Sequence, residues 1–400
     1  MWATAKKKSK ILMYLNAILQ FQGFITPVMY IFYTHYMGLT TAQCLFCDAL
    51  LFFIMAIAEI PSGMIADHFG RKKTAIVSKS AICIGMLILV LVNSYNGAII
   101  VAIIYGIFGA LGSGIEESIY YEIFEGDNSI DELEFIQART SGIGFSVSIV
   151  YALAGGFLGD VNIVIPVVLD LVVTIVTLMA LIFLLEDHKK YKMHEKMNMP
   201  SKNELANVIP IIIFAAIISS CSRTLFSFYQ PILVNAEAPV RLLGVASALY
   251  SIVAAISTMF YKKIRSNISN DFMYVIIMIL QLVATMGIAY SNSLFVFVFI
   301  LIQQVERGMA GTYLYIQTNN YIDTESGNRV TLMSVMYCAI NIIAAFSLWL
   351  TSTITEQYGL AVSVKSYCII INIVLFISFI NFMIKKKKKK IISYDSKGMV

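Results

Sequence analysis

Stretches of about 20 apolar, almost uncharged residues recur along this chain, and no other feature narrows its fold so far. In a lipid core, backbone N–H and C=O groups must be satisfied within the segment, which leaves helices or closed barrels. Runs such as 98–111 and 361–384 do not alternate apolar with polar residues, so barrel strands are excluded. The 400 residues are 58% hydrophobic and 13% charged, which leaves too little polar surface for a soluble domain. The fold class is all-α membrane protein.

Counted by length and apolarity, spans are predicted at 11–35, 41–66, 74–93, 98–122, 139–159 and 162–185, then at 206–230, 240–261, 271–290, 293–320, 330–353 and 361–384. That makes twelve transmembrane helices. The first is too long and too polar for a cleaved signal peptide. The longest polar stretch, 186–207, divides them into two blocks of six with the same rhythm: a late proline in the first helix (Pro27, Pro231) and a short basic loop after the second. This is the pattern of parallel repeats. It predicts six-helix bundles at 1–185 and 206–384, a cytoplasmic linker at 186–205 and a basic cytoplasmic tail at 385–400.

The net charge of +5 reports topology rather than a nucleic-acid partner. The cationic clusters Lys6–Lys10, Arg71–Lys73, Lys189–Lys202, Lys262–Arg265, Arg329 and Lys385–Lys390 all fall at a terminus or in an even-numbered gap, with Arg241 and Lys365 the exceptions. That is the positive-inside pattern, with both termini cytoplasmic in a cell membrane. All six cysteines fall inside predicted spans, so the Cys44/Cys47 pair reads as buried small hydrophobes rather than a metal or redox site. Four scattered histidines and no nucleophile–base spacing argue against an enzyme. No phosphate-binding loop is present, so the energy source is a gradient, and no cofactor is expected.

After the second span the chain reads Glu59-Ile-Pro-Ser-Gly-Met-Ile-Ala-Asp-His-Phe-Gly-Arg-Lys-Lys73. This resembles the signature loop of the major facilitator superfamily, with Gly63, Asp67, Gly70, Arg71, Lys72 and Lys73 in the family's positions and His68 where the family has arginine or lysine. The resemblance implies that family's fold and a cytoplasmic latch that closes in the outward-facing state. Gly63 allows close helix approach. Asp67 would accept hydrogen bonds at the start of the eleventh span near Arg329, and Arg71 and Lys72 would pair with Glu122 or Glu125. Ser113-Gly-Ile-Glu-Glu-Ser-Ile-Tyr-Tyr-Glu122, Phe228-Tyr-Gln-Pro231 and Arg329-Val-Thr-Leu-Met-Ser334 resemble runs of a bacterial, efflux-like branch of that superfamily.

Charges inside a membrane are functional candidates because each costs several kcal/mol unless paired or hydrated. The proton-coupling candidates are Glu116 and Glu117 in the fourth span, Glu306 and Arg307 in the tenth, and Arg223 in the seventh. Desolvation and a nearby arginine pull a carboxylate's proton affinity in opposite directions, so such a group can titrate as its surroundings alternate. Adjacent residues point about 100° apart, so only one of Glu116 and Glu117 can face the cavity, with Tyr120 or Tyr121 on its stripe. Asp48 and Asp170 are placed near the outer interface. Asn16, Gln20, Gly23 and Pro27 form one polar, deformable stripe on the first span. In the family's fold the first, fourth, seventh and tenth helices line the cavity, which makes Asn16, Gln20, Tyr120, Tyr121 and Gln230 substrate candidates.

The reading is proton-coupled export of a small organic or amphipathic compound by a monomer in contact with membrane lipids. Against export, Ala154-Gly155-Gly156 keeps only the glycine pair of the drug-antiporter motif and lacks its proline. Uptake of a nutrient such as a sugar or peptide is the alternative.

Overall fold

The computed structural model describes residues 2–186, 202–266, 268–291, 293–321 and 329–397. Among them the secondary structure is helical throughout, with no strand. The first half holds α1 (Trp2–Ile18), the single turn α2 (Met29–Ile31), α3 (Thr41–Phe69), α4 (Arg71–Leu91) and α5 (Tyr95–Gly112). It continues with α6 (Ile115–Gly126), α7 (Ile130–Val161) and α8 (Val164–Leu184). The second half holds α9 (Lys202–Asn235), α10 (Val240–Ser266), α11 (Asn270–Tyr290), α12 (Val296–Tyr321), α13 (Arg329–Tyr358) and α14 (Leu360–Lys397). Most of the expected linker, 187–201, lies outside the described residues, and α9 already begins at Lys202. The expected basic tail continues α14 as far as Lys397.

Short polar residues cap the starts of α3, α5 and α11. Thr40 and Gln43 form a reciprocal capping box on α3, and Ser94 caps α5 through the Gly97 amide. Gly70, at φ +95°, makes the one-residue corner between α3 and α4 that a side chain would strain.

Among the described residues ten helices are long and apolar enough to cross a membrane. The expected count of twelve is not reached by that measure. The shortfall falls on 11–35 and 293–320, because the first is broken and the second carries Gln303, Gln304, Glu306 and Arg307 mid-helix. Large side chains such as Val161 (81% exposed) and Met259 (78% exposed) point outward, where a lipid solvent would cover them. In α9, by contrast, 72% of the apolar window is buried, against 28–39% in the other nine. That makes α9 the helix around which the second half packs, with Phe214, Phe228 and Tyr229 in its core.

Two predicted spans, 11–35 and 98–122, are discontinuous as helices. The first stops at Ile18, turns through Gln22 at φ +56°, and resumes as a 3-10 turn at Thr26–Val28, α2 and a π turn at Phe32–Tyr36. Unwinding in an apolar surround orphans backbone groups, so each needs a replacement partner. Asp170 accepts from the Phe24 and Ile25 amides at 3.2 and 2.7 Å, and the Tyr151 hydroxyl donates to the Ile18 carbonyl at 2.9 Å. The fourth span breaks at Ser113–Gly114, where Gly114 sits at φ +70°. Glu116 and Glu117 therefore occupy the first turn of α6, where the helix dipole favours negative charge.

The halves meet mainly through α3 against α13 and α7 against α10. A Cβ on Gly156 would lie 2.6 Å from the Gly244 Cα, so at that crossing the two backbones touch. The Ser352 hydroxyl donates to the Ala42 carbonyl at 2.8 Å across the other crossing. Both contacts lie where α3 and α10 begin and α7 and α13 end, and the α3–α13 seam continues along the helices to the Cys338 thiol, 3.7 Å from the Ala56 carbonyl. At the opposite end, Lys6 pairs with Asp127 at 2.6 Å and Glu132 at 2.7 Å, and Lys10 also pairs with Glu132.

Lys6 holds the Asp127 carboxyl below the usual range, and Lys10 followed by Lys6 does the same for Glu132. The bridge from Asp127 and then Glu132 raises Lys6. Lowered carboxyls stabilise the fold above their unfolded values and stop doing so as pH falls through the folded ones, so the tether fails below about pH 4. The raised lysine contributes up to its unfolded value and loses effect only above about pH 10. Hydrogen exchange in the first two turns of α1 is expected to speed up, relative to intrinsic rates, between pH 6 and about pH 3. Unchanged protection would show that the ion cluster does not hold α1.

Candidate functional site

A cavity of about 550 Å³ lies between the halves, within the usual size range for small-molecule sites. One wall is a stripe of α9 at three- and four-residue spacing: Ser219, Ser222, Arg223, Phe226, Ser227 and Gln230. Beside it α12 contributes Arg307, Ala310 and Gly311. The facing wall comes from the broken first span (Gln22, Thr26, Tyr30, Tyr33) and from Asp48 and Phe52 of α3, with Tyr105 of α5.

Hydrogen bonds tie the two walls together. Gln230 donates to the Thr26 carbonyl at 2.6 Å and accepts from the Tyr30 amide at 2.9 Å, so one α9 side chain satisfies two backbone groups of the unwound segment. Ser227 donates to the Asp48 carboxylate at 2.6 Å. Arg223 donates to the Asn341 side chain on α13, its guanidinium lies 5.4 Å from the Phe52 ring centroid, and the charge of Glu59 lies within its reach.

Glu306 and Arg307 are neighbours on α12 and diverge as helix geometry requires. Arg307 is exposed into the cavity. Glu306 is 0% exposed and points into the second half, beside Ser222. Around it, Gln303 donates to Glu306 at 3.3 Å and to Ser222 at 2.9 Å, and accepts from the Tyr229 hydroxyl. The other Glu306 carboxyl oxygen has no hydrogen-bond partner among the described residues. A buried polar chain thus runs from a cavity-lining serine to a carboxylate.

The fourth-span pair separates just as clearly. Glu116 accepts from Asn16 at 2.6 Å and from the Tyr120 hydroxyl at 3.0 Å, whereas Glu117 and Tyr121 are exposed. Gln20 donates to the Gly144 carbonyl at 2.6 Å, tying the end of α1 to α7. Asn16, Gln20, Tyr120 and Tyr121 do not line the described cavity, although they were expected to. Of the sequence candidates, Gln230, Arg223 and Arg307 line it.

Two acids received too little weight from sequence. Asp48 was assigned to the outer interface and Glu59 only to the start of a motif. Their signal was the spacing of Asp48, Phe52 and Glu59, which puts all three on one stripe of α3. Asp170 is fully buried, as the acceptor for the broken helix.

At the charged end Arg71 pairs with Glu122, the first of the two acids expected, and Glu125 is exposed. Lys72 is half-buried, and the side chain of Asp67 lies outside the described residues. Arg71 is buried and Glu122 one-third exposed, so breaking the pair costs about 1–3 kcal/mol. Arg71→Gln is expected to leave a folded protein that transports more slowly. A wild-type rate across the full range of substrate concentration would remove the latch from the mechanism.

A sequence profile of the Major Facilitator Superfamily matches residues 12–347. The chain belongs to this superfamily. No curated protein matches it by sequence. Among solved members of similar fold, the nucleoside transporter NupG superposes with a TM-score of 0.75 at 12% identity, covering 96% of this chain and 99% of that one. A bacterial homolog to the human lysosomal transporter Spinster, in its inward-facing and occupied conformation, gives 0.67 at 14% identity, covering 96% of each chain. At such identities the likeness establishes the facilitator fold, and the residues of the site must speak for themselves.

Proposed function

We propose that this facilitator protein is a secondary transporter that moves a small organic molecule by alternating access, coupled to protons. The observation that carries the reading is the cavity walled by both halves, held together at one end, with Asp48, Arg223 and Arg307 in it and Glu306 buried behind it. In this reading the broken first segment and α12 complete twelve spans in two six-helix bundles. The basic loops and both termini lie in the cytoplasm, the membrane is the cell membrane, and the unit is a monomer. The end closed by the Gly156–Gly244 and Ala42–Ser352 contacts is then external, and the arrangement is inward-facing. No cofactor enters the cycle.

Export of an amphipathic compound is the direction suggested by the likeness of the fourth-, seventh- and eleventh-span runs to an efflux branch. Uptake is the second reading, favoured by the charged and hydrogen-bonding groups in the cavity wall and by the fold's likeness to a nucleoside transporter. Everted and right-side-out vesicles, with and without an imposed proton gradient, separate the two when loaded with a fluorescent dye, radiolabelled uridine or radiolabelled uridine 5′-monophosphate. Gradient-dependent movement in neither orientation would overturn the transport reading. Topology is tested alongside. In a cysteine-free background, cysteines at Ser94 and Lys7 are expected to react with an impermeant maleimide from opposite faces, and labelling of both from one face would sink it.

A further inference from the structure

We infer that the substrate is a small organic anion with a flat unsaturated body, its carboxylate or phosphate held by Arg307 together with Arg223. The inference deepens the transport reading and rests on it. Two guanidiniums and one carboxylate line the cavity, and that carboxylate, Asp48, already accepts from Ser227; the charges of Glu59 and Glu306 reach Arg223 and Arg307 only from outside the lining. Arg223 is steered by Asn341 and by the Phe52 ring, which leaves its remaining N–H donors for a ligand. Arg307 stands exposed in the cavity, and among the described residues no hydrogen bond or ion pair engages it.

Arg307 is exposed in the cavity with its donors unengaged, and a charge-assisted, paired hydrogen bond to an anion is stronger than any bond it can make to a neutral molecule. Guanidinium is planar and offers paired donors, which suits the two oxygens of a carboxylate or phosphate. Rings of Tyr30, Tyr33, Phe52 and Phe226 border the same space and give a flat body faces to stack on. The volume of about 550 Å³ admits a ring system with one charged group.

The test is thermal stabilisation of the purified full-length protein, with sodium chloride matching ionic strength. Probes are benzoate against benzamide, and uridine 5′-monophosphate against uridine; the two pairs separate a carboxylate source from a phosphate source. At least one anion is expected to raise the melting temperature in a saturable way, with at least a tenfold lower half-saturating concentration than its neutral counterpart. Arg307→Gln is expected to melt like wild type without ligand and to lose that selectivity, while Arg307→Lys keeps part of it. Arg223→Gln removes a helix-to-helix contact, so Arg307→Gln is the deciding variant. Stabilisation by neither anion, equal stabilisation by the neutral partner or by chloride, or full selectivity in Arg307→Gln would each overturn the inference. Binding in detergent needs no gradient, so anion selectivity can fail while gradient-driven movement in vesicles survives.

Discussion

Glu306→Gln is expected to abolish uphill accumulation while leaving counterflow exchange and folding in place. Glu306 is fully buried, one of its oxygens accepts a long hydrogen bond from Gln303, and the other has no partner among the described residues. An ionised, incompletely paired carboxylate in such a place costs several kcal/mol, and a neutral side chain of the same shape avoids that cost. Glutamine keeps an acceptor for Gln303, so stability should change by no more than about 1 kcal/mol. What it cannot do is gain and lose a proton as the cavity opens alternately to each side. In proteoliposomes, the accumulation ratio under a proton gradient should fall to equilibration, with exchange of pre-loaded substrate preserved. If the variant folds and still accumulates substrate with the normal pH dependence, the carrier lies elsewhere. Glu116, held by Asn16 and Tyr120, is then next to test, since Glu117 is exposed.

Asp170→Leu should have the largest effect on the folded protein. The carboxylate accepts two backbone amides, those of Phe24 and Ile25, where the first span is unwound, and it is 0% exposed. Leucine fits the apolar surround but leaves both amides without a partner. At about 1–3 kcal/mol for each orphaned donor, the loss is roughly 2–6 kcal/mol. Asp170→Asn retains one acceptor oxygen and should recover part of it. Melting temperature and yield of monodisperse protein should rank wild type above Asn above Leu. A leucine variant as stable as wild type would mean that the break is held by Gln230 and Tyr151 alone.

How far the chain announces itself depends on the scale of the question. Hydropathy is a sum over neighbours in sequence, so the apolar runs and the basic gaps declared an all-helical membrane protein without any tertiary information. Gly63 to Lys73 carried the family, because a turn between two helices near a membrane face is local chemistry. Local composition also explains the failures. In 11–35 it gave a span without the break at its centre, since nothing adjacent in sequence shows that Asp170, Gln230 and Tyr151 can replace helical hydrogen bonds from other segments.

The site shows the same division. Intramembrane cost alone singled out Glu116, Glu306, Arg307 and Arg223, because burying charge is expensive wherever it occurs. Which of them share a space was decided by packing. A helix presents every direction within one turn, and only its neighbours select which direction is the cavity. So Arg307 faces the cavity and Glu306, one residue earlier, is sealed in the core. Asn16, on the right helix, binds Glu116 instead of lining the cavity, and Asp48, assigned to the rim, stands in its wall opposite Ser227. Hydropathy and one loop motif were enough for the lipid solvent, the helices and the family; which polar groups meet was left to packing, because it depends on helix rotation and on distant backbone groups that remain to be satisfied.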